Sequence, residues 1–275
     1  MSLHARQIAF DYSSPRRASH GAGVLTDVTF APQSGQMTAI AGPNGSGKST
    51  LLRLLLGSRS PAAGEIELDG RPMNRWSASE RARRIAYIAQ RPDTVFGYTA
   101  REVISLGRLS LGCPASEDRR AVDRAIETME LGELAAKPVT TLSIGEQQRT
   151  AIARAIAQLD QPGAQHTRVL LADEPASALD PRHAIRAMQA MKTLASSGDI
   201  AVILVLHDLQ AAARWADEGL ILQEGRVVAH GPADEIFTPG VLSGVFDVPF
   251  AAPAEGVLMP MADDAVKAPA MERDG

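Results

Sequence analysis

Short apolar runs and one long helical stretch divide the chain. Residues 5–12 and 24–30 predict two strands, and the polar, turn-rich residues between them (SSPRRASHGAG) predict a loop. Residues 37–41 predict a short apolar strand, followed at once by a glycine-rich loop. Leu51, Leu52, Leu54, Leu55 and Leu56 then lie almost all round a helix, which predicts burial on most sides, with Gly57 just past its end. Residues 65–68 with Asp69-Gly70 predict a strand end and turn. Ser77 and Glu80 form a capping box that opens a short helix through Arg84, and residues 85–89 return to a buried strand.

From 91 to 138 the texture is helical, carried by Val103, Leu106, Val122, Ile126, Met129 and Leu134. Residues 169–172 and 201–206 are unbroken apolar runs, as in central strands covered on both faces. Residues 220–222, Gly225 and 227–228 predict a hairpin. Residues 251–275 are rich in Ala and Pro and predict a mobile tail, within which 256–261 can add a short strand. The organisation expected is one domain over 1–250, with a core of 1–90 and 139–250 and a helical subdomain of 91–138.

The chain has 275 residues, 22% of them charged, with a net charge of −4, which excludes a broadly basic nucleic-acid binder. Cys113 is the only cysteine, so neither an internal disulfide nor a cysteine zinc cluster can form. The first residues show no basic segment followed by an apolar run, so no secretory signal is expected. The longest apolar run, 200–206, is far short of the roughly 20 residues that span a bilayer. A membrane role is therefore expected only through a partner.

Gly42-Pro43-Asn44-Gly45-Ser46-Gly47-Lys48-Ser49, with Thr50 behind it, matches the G-x-x-x-x-G-K-[ST] phosphate loop between a strand and a helix. Its glycines let backbone N–H groups converge on phosphate oxygens, and the helix start adds partial positive charge. Lys48 is placed for the β- and γ-phosphates and the Ser49 hydroxyl for Mg²⁺. Without those flanks the same residues would be a plain turn. The 169–172 strand ends in Asp173 and Glu174. Asp173 suits a water-held Mg²⁺ and Glu174 an attacking water, whereas the plain alternative is an acidic cap for the next helix. Leu142-Ser-Ile-Gly-Glu-Gln-Gln-Arg149 precedes a helix with Ile152, Ala155, Ile156 and Leu159 on its core face. Ser143 and Glu146 make a capping box there, which can be purely structural or form a second anion site. His207 follows the 201–206 strand and Gln90 the 85–89 strand. Either alone is more often structural.

These pieces, in this order, resemble an ATP-binding-cassette (ABC) ATPase over residues 3–248. The resemblance implies an α/β fold: a P-loop NTPase (RecA-like) core, an N-terminal antiparallel β subdomain and an inserted α-helical subdomain. It implies ATP and Mg²⁺ as cofactors. Tyr12 is similar to the aromatic that stacks on adenine, Gln90 to the glutamine that touches Mg²⁺ and water, and Glu174 to the catalytic carboxylate. His207 is similar to the switch histidine, 177–180 to the D-loop, and 142–146 to the signature motif. In the family the signature of one copy caps the ATP of the other. That implies an ATP-dependent homodimer in which Ser143, Gly145, Glu146 and Asp180 act in trans. Ile144 stands where the family usually has glycine, and Ala176 where it often has threonine. The isoleucine predicts reduced but real hydrolysis.

The helix 76–84 and the stretch 96–108 resemble importer cassettes of the iron-chelate, haem and cobalamin group, and the loop 160–167 resembles haem-import cassettes. The resemblance implies a polytopic permease partner whose coupling helix is received by the helical subdomain in which 99–107 lies (the plain alternative is that this stretch only packs the subdomain), a periplasmic or extracellular substrate-binding protein upstream, and a peripheral place on the cytoplasmic face of the inner membrane. No nucleic acid is expected. The competing readings are a soluble ABC-type ATPase of DNA maintenance or translation, and a nearly inactive ATP-gated binding module. His4, His20, His166, His183 and His230 lack metal-ligand spacing, and Arg81, Arg83 and Arg84 read as a solvated helix face.

Overall fold

The computed structural model describes residues 3–12, 24–91, 96–252 and 259–260. The first strands are β1 (Leu3–Phe10), β2 (Leu25–Phe30) and β3 (Met37–Ala41), and α1 (Lys48–Leu55) follows the glycine loop. Next come β4 (Ala63–Leu68), β5 (Arg71–Pro72), α2 (Ala78–Ala82) and β6 (Ile85–Ile88), then the helical insertion with α3 (Ala100–Leu106) and α4 (Ala115–Thr128). The chain returns through α5 (Ile144–Leu159), β7 (Arg168–Asp173), α6 (Pro181–Ser196), β8 (Ile200–Val205) and α7 (Leu209–Trp215). It ends with β9 (Glu218–Gln223), β10 (Arg226–Pro232), α8 (Ala233–Ile236), α9 (Pro239–Phe246), β11 (Phe250–Ala251) and β12 (Met259–Pro260).

Two sheets result. An antiparallel sheet runs β2-β1-β4-β5, and a larger sheet runs β10-β9-β3-β8-β7-β6. In the larger sheet β9, β3, β8, β7 and β6 are parallel, and β10 closes one edge through an antiparallel hairpin turned at Glu224 and Gly225. The unbroken apolar runs are explained by cover on both faces. Leu170 and Ala172 of β7 and Val202 and Leu204 of β8 face a core packed with α5 and α6 residues. Their neighbours Val169, Leu171, Ile203 and Val205 face the other way, onto α1 and the antiparallel sheet. Leu51, Leu52, Leu54 and Leu55 of α1 are all fully buried there. Each contributes about 1.5–3 kcal/mol of burial, which anchors the helix that opens at Lys48.

The helical insertion packs directly on the helix that follows it. Both α3 and α4 pack against α5, so the helix bearing Ser143 at its start belongs to both layers. Arg149 of α5 fixes that junction by donating to the carbonyls of Met129 and Glu130, both at 3.0 Å. Glu130 in turn binds Arg182 and Arg186 of α6 at 2.8–2.9 Å.

The capping box at Ser77 and Glu80 is present, but α2 stops at Ala82, short of Arg84. Of the three arginines, Arg83 is exposed, while Arg81 and Arg84 are half-buried, and all three have fixed partners. Arg81 donates to the Trp76 carbonyl, Arg83 to the Ser110 carbonyl and Arg84 to Asp69, each at 2.6 Å. Arg84 also lies 4.8 Å from the Trp76 ring centroid, and these fixed partners draw the chain straight into β6. Of the expected tail, Phe250–Ala251 pairs with Met259–Pro260, while 253–258 and 261–275 lie outside the described residues, as does the loop 13–23. No helix among the described residues is long and apolar enough to cross a membrane.

Candidate functional site: a phosphate cradle and its catalytic rim

The cradle follows from the turn between β3 and α1. Gly42 has φ 145°, and a Cβ there would lie 1.9 Å from the Leu222 carbonyl oxygen, so no other residue fits. Gly47 caps α1 at φ 101°, which turns the N–H groups of the loop and first helical turn to one side. Lys48 is buried, and its Nζ donates to the carbonyls of Gly42 at 2.8 Å and Pro43 at 2.9 Å. Burial lowers its pKa, opposed by Asp173 and Glu174. The side chain is thus held along the loop with its charge balanced by carboxylates. Asn44, Gly45, Gly47, Lys48, Ser49 and Thr50 line a cavity of about 240 Å³ with Val24 and His207. Ser46 is buried beneath it, its hydroxyl without a partner among the described residues.

Asp173 ends β7, nearly fully buried, and burial raises its carboxyl pKa. The Ser49 side chain hydrogen-bonds it, while its Oδ1 is buried with no partner among the described residues. A buried, acceptor-only oxygen beside a serine hydroxyl fits a hard divalent cation. The parallel register that sets Asp173 opposite Val205 brings the next residues of both strands together. There the His207 Nε2 lies 2.8 Å from Glu174 Oε1. Glu174 itself sits at φ 48°, a left-handed conformation uncommon for a non-glycine, held by its N–H to the Val205 carbonyl at 3.0 Å.

Asp173 and Glu174 do not cap α6. That helix is capped by Asp180, which accepts from the His183 N–H at 3.0 Å and meets His183 Nδ1 at 2.6 Å. This pairing lowers the Asp180 pKa and gives His183 a structural place.

Tyr12 stands half-exposed next to α1. Its hydroxyl lies 3.1 Å from Thr50 Oγ1 and its ring edge-on to Phe10 at 5.0 Å. Gln90 is exposed two residues past β6, and the pairing of Ile88 with Ala172 sets it level with Glu174. Ser143, Gly145 and Glu146 do not line this chain's own cradle. The Ser143 Oγ accepts from the Glu146 N–H at 3.3 Å, and the Glu146 carboxylate accepts from the Ser143 N–H at 2.7 Å. The Ser143 side chain also hydrogen-bonds the Glu146 carboxylate, so the cap holds the serine in place at the start of α5. A Cβ on Gly145 would come within 3.0 Å of the Ala178 carbonyl oxygen, which puts the start of α5 against the 177–180 loop. Ile144 is 67% exposed at the first helical position.

A second cavity of about 690 Å³ lies between α6 and α7, lined by Ile185, Met188 and Trp215, with Glu174 and His207 on its wall. It is larger, but its apolar lining offers phosphate little. The smaller cavity holds the loop N–H groups and Lys48. Gln148 went unmarked in the sequence, although a polar residue four before Ile152 on a core face was a legible signal.

A glycine cradle on a helix start, with two carboxylates and a histidine at neighbouring parallel strand ends and a capped serine outside the cradle, defines an ATPase of the ATP-binding-cassette class. The chain belongs to the ABC transporter family, whose model matches residues 25–177. It is 42% identical over 225 residues to the hemin import ATP-binding protein HmuV of Pseudomonas entomophila (strain L48), covering 82% of this chain and 87% of that one. The HmuV of Streptomyces coelicolor is 40% identical over 244 residues, covering 87% and 84%. Among solved structures, one described as a metal-chelate type ABC transporter, inward-facing, matches with a TM-score of 0.74 at 26% identity, over 96% of this chain and 99% of that one. The cassette MJ0796, dimeric after hydrolysis with ADP and Pi, matches with a TM-score of 0.71 at 26% identity, over 84% and 98%.

Proposed function

We propose that this chain is the ATP-hydrolysing subunit of an importer of iron chelates, with haem as the cargo. The ATPase part is carried by the Glu174–His207 pair at 2.8 Å on the rim of the Lys48 cradle. The cargo is supported by the hemin importers among its relatives.

In this reading Gly42, Pro43, Asn44, Gly45, Ser46, Gly47 and Thr50 wrap the phosphates with backbone and side-chain donors. Lys48 sets its charge on the β- and γ-phosphates, and the Tyr12 ring stacks on adenine. Mg²⁺ would be held by Ser49 and Asp173 with Gln90, where it supplies neutralisation of the phosphate charge. Glu174 accepts a proton from the attacking water, and His207 fixes its carboxylate in position. Ser143, Gly145, Glu146 and Asp180 act on the ATP of a second copy, making an ATP-dependent homodimer. The helical layer of 91–138 passes that closure to a polytopic permease on the cytoplasmic face of the inner membrane. A substrate-binding protein delivers the chelate from outside.

The test is uptake by the complex of this chain and its permease, reconstituted in liposomes with haem, a ferric siderophore and cobalamin supplied separately. ATP-dependent accumulation of haem alone is expected. Preference for either other cargo would overturn the haem assignment, and uptake independent of ATP the whole reading.

A further inference from the structure

One buried amide joins the two catalytic strand ends to the helix that bears Ser143. Gln148 lies in the second turn of α5 and is fully buried. Its side-chain nitrogen donates to the Pro175 carbonyl at 3.2 Å and to the Ala89 carbonyl at 3.4 Å. Pro175 follows Glu174 and Ala89 precedes Gln90. Both acceptors are carbonyl oxygens, so the amide orientation is forced. Its own Oε1 is buried with no partner among the described residues. Such a half-satisfied amide is a poor device for stability, since an apolar residue of that size would fill this core position without an orphaned acceptor.

What the amide does supply is position. It holds two adjacent chain segments, one leaving β6 and one leaving β7, to a single point on α5. The first turn of the same helix carries Ser143 and packs through Gly145 on the 177–180 loop. A shift of α5 when a second copy docks on Ser143 therefore reaches the backbone beside Glu174 and Gln90 directly.

We propose that Gln148 is a positioning residue that makes the catalytic ends of one chain answer to the partner copy bound at its own signature helix. The proposal rests on the roles given above to Glu174, Gln90 and Ser143. Glu174 stands next to such a pull, its left-handed backbone set by its N–H to the Val205 carbonyl and by the Ser177 N–H and hydroxyl, which donate to its own carbonyl.

The experiment uses the full chain with two variants, Gln148→Leu, which removes both donors, and Gln148→Asn, which keeps the amide on a shorter stem. Steady-state ATPase against ATP concentration, affinity for a fluorescent ATP analogue and melting temperature are read together. In both variants kcat is expected to fall about ten- to a hundredfold, the effect of a displacement of about 1 Å at a reacting group. KM and analogue affinity stay within about twofold, and the Hill coefficient for ATP drops from about 2 toward 1 as the two sites lose contact. An unchanged kcat and Hill coefficient would overturn the proposal. So would losses of kcat, affinity and melting temperature in step, which a merely structural residue gives. Glu174→Gln is run alongside. If it hydrolyses ATP normally, the catalytic reading beneath the proposal fails instead.

Discussion

Replacing Arg149 by methionine tests how the helical layer is held. The guanidinium is 8% exposed and donates to the carbonyls of Met129 and Glu130, each at 3.0 Å, where α4 ends. Methionine keeps most of the stem volume and removes only the donors. A hydrogen bond from a charged group contributes about 1.5–3 kcal/mol, so two of them give about 3–6 kcal/mol, brought to a loss of about 3–5 kcal/mol because the Met129 acceptor is buried and the Glu130 acceptor only half-buried. At about 2 °C per kcal/mol for a chain of this size, the melting temperature falls by roughly 6–10 °C. Differential scanning fluorimetry of the full chain reads the shift, and hydrogen exchange shows whether α4 loosens first. Arg182→Met is the control: that side chain is 75% exposed, and its pair with Glu130 contributes at most about 1 kcal/mol. A melting temperature for Arg149→Met within about 1 °C of the parent, or equal shifts for both variants, would refute the reasoning.

Three further outcomes follow from the same geometry. Ile144→Gly removes an exposed branched side chain from the signature, and steady-state ATPase of the complete complex is expected to rise about two- to tenfold, equivalent to roughly 0.4–1.4 kcal/mol of barrier; an unchanged rate removes that explanation of the departure. Gly42→Ala sets a Cβ 1.9 Å from the Leu222 carbonyl oxygen at φ 145°, and costs more than about 3 kcal/mol; a variant that melts like the parent and binds ATP contradicts the close approach. Glu80 is held at about 2, below its ordinary 4.5, chiefly by its bond from the Ser77 N–H, and Glu102 and Glu146 are lowered by the same kind of cap. A depressed folded-state pKa means stability that is present above about 4.5 and lost as pH falls toward 2. Melting temperature against pH is accordingly steeper there for the parent than for Glu80→Gln with Glu102→Gln, and parallel curves would count against it.

The strand runs and the cradle were legible because local chemistry decides them. A Gly-rich loop between an apolar run and leucines has few other solutions, and β3, β7 and β8 lie within a residue or two of where the apolar runs put them. The capping boxes at Ser77 and Ser143 were equally readable, since each needs only residues three apart. What sequence spacing did not show depends on the tertiary approach of distant segments. The 2.8 Å pairing of His207 with Glu174 comes from strand register. The arginines of 81–84 look solvated by composition, yet their partners Trp76, Ser110 and Asp69 are reached only after folding. Gln148 was hidden for the same reason, its acceptors lying 59 and 27 residues away.

The central claim is that this chain hydrolyses ATP to drive a membrane permease. Glu174→Gln should keep ATP bound while slowing hydrolysis about 10²- to 10⁴-fold, and so hold two copies closed on their partner. The most direct measurement is a pull-down of that tagged variant from detergent-solubilised membranes with ATP and Mg²⁺, followed by identification of what accompanies it. A polytopic permease retained with ATP and lost without it is the result predicted. Ribosomal or DNA-repair proteins in its place, or a chain that emerges alone, would contradict the account.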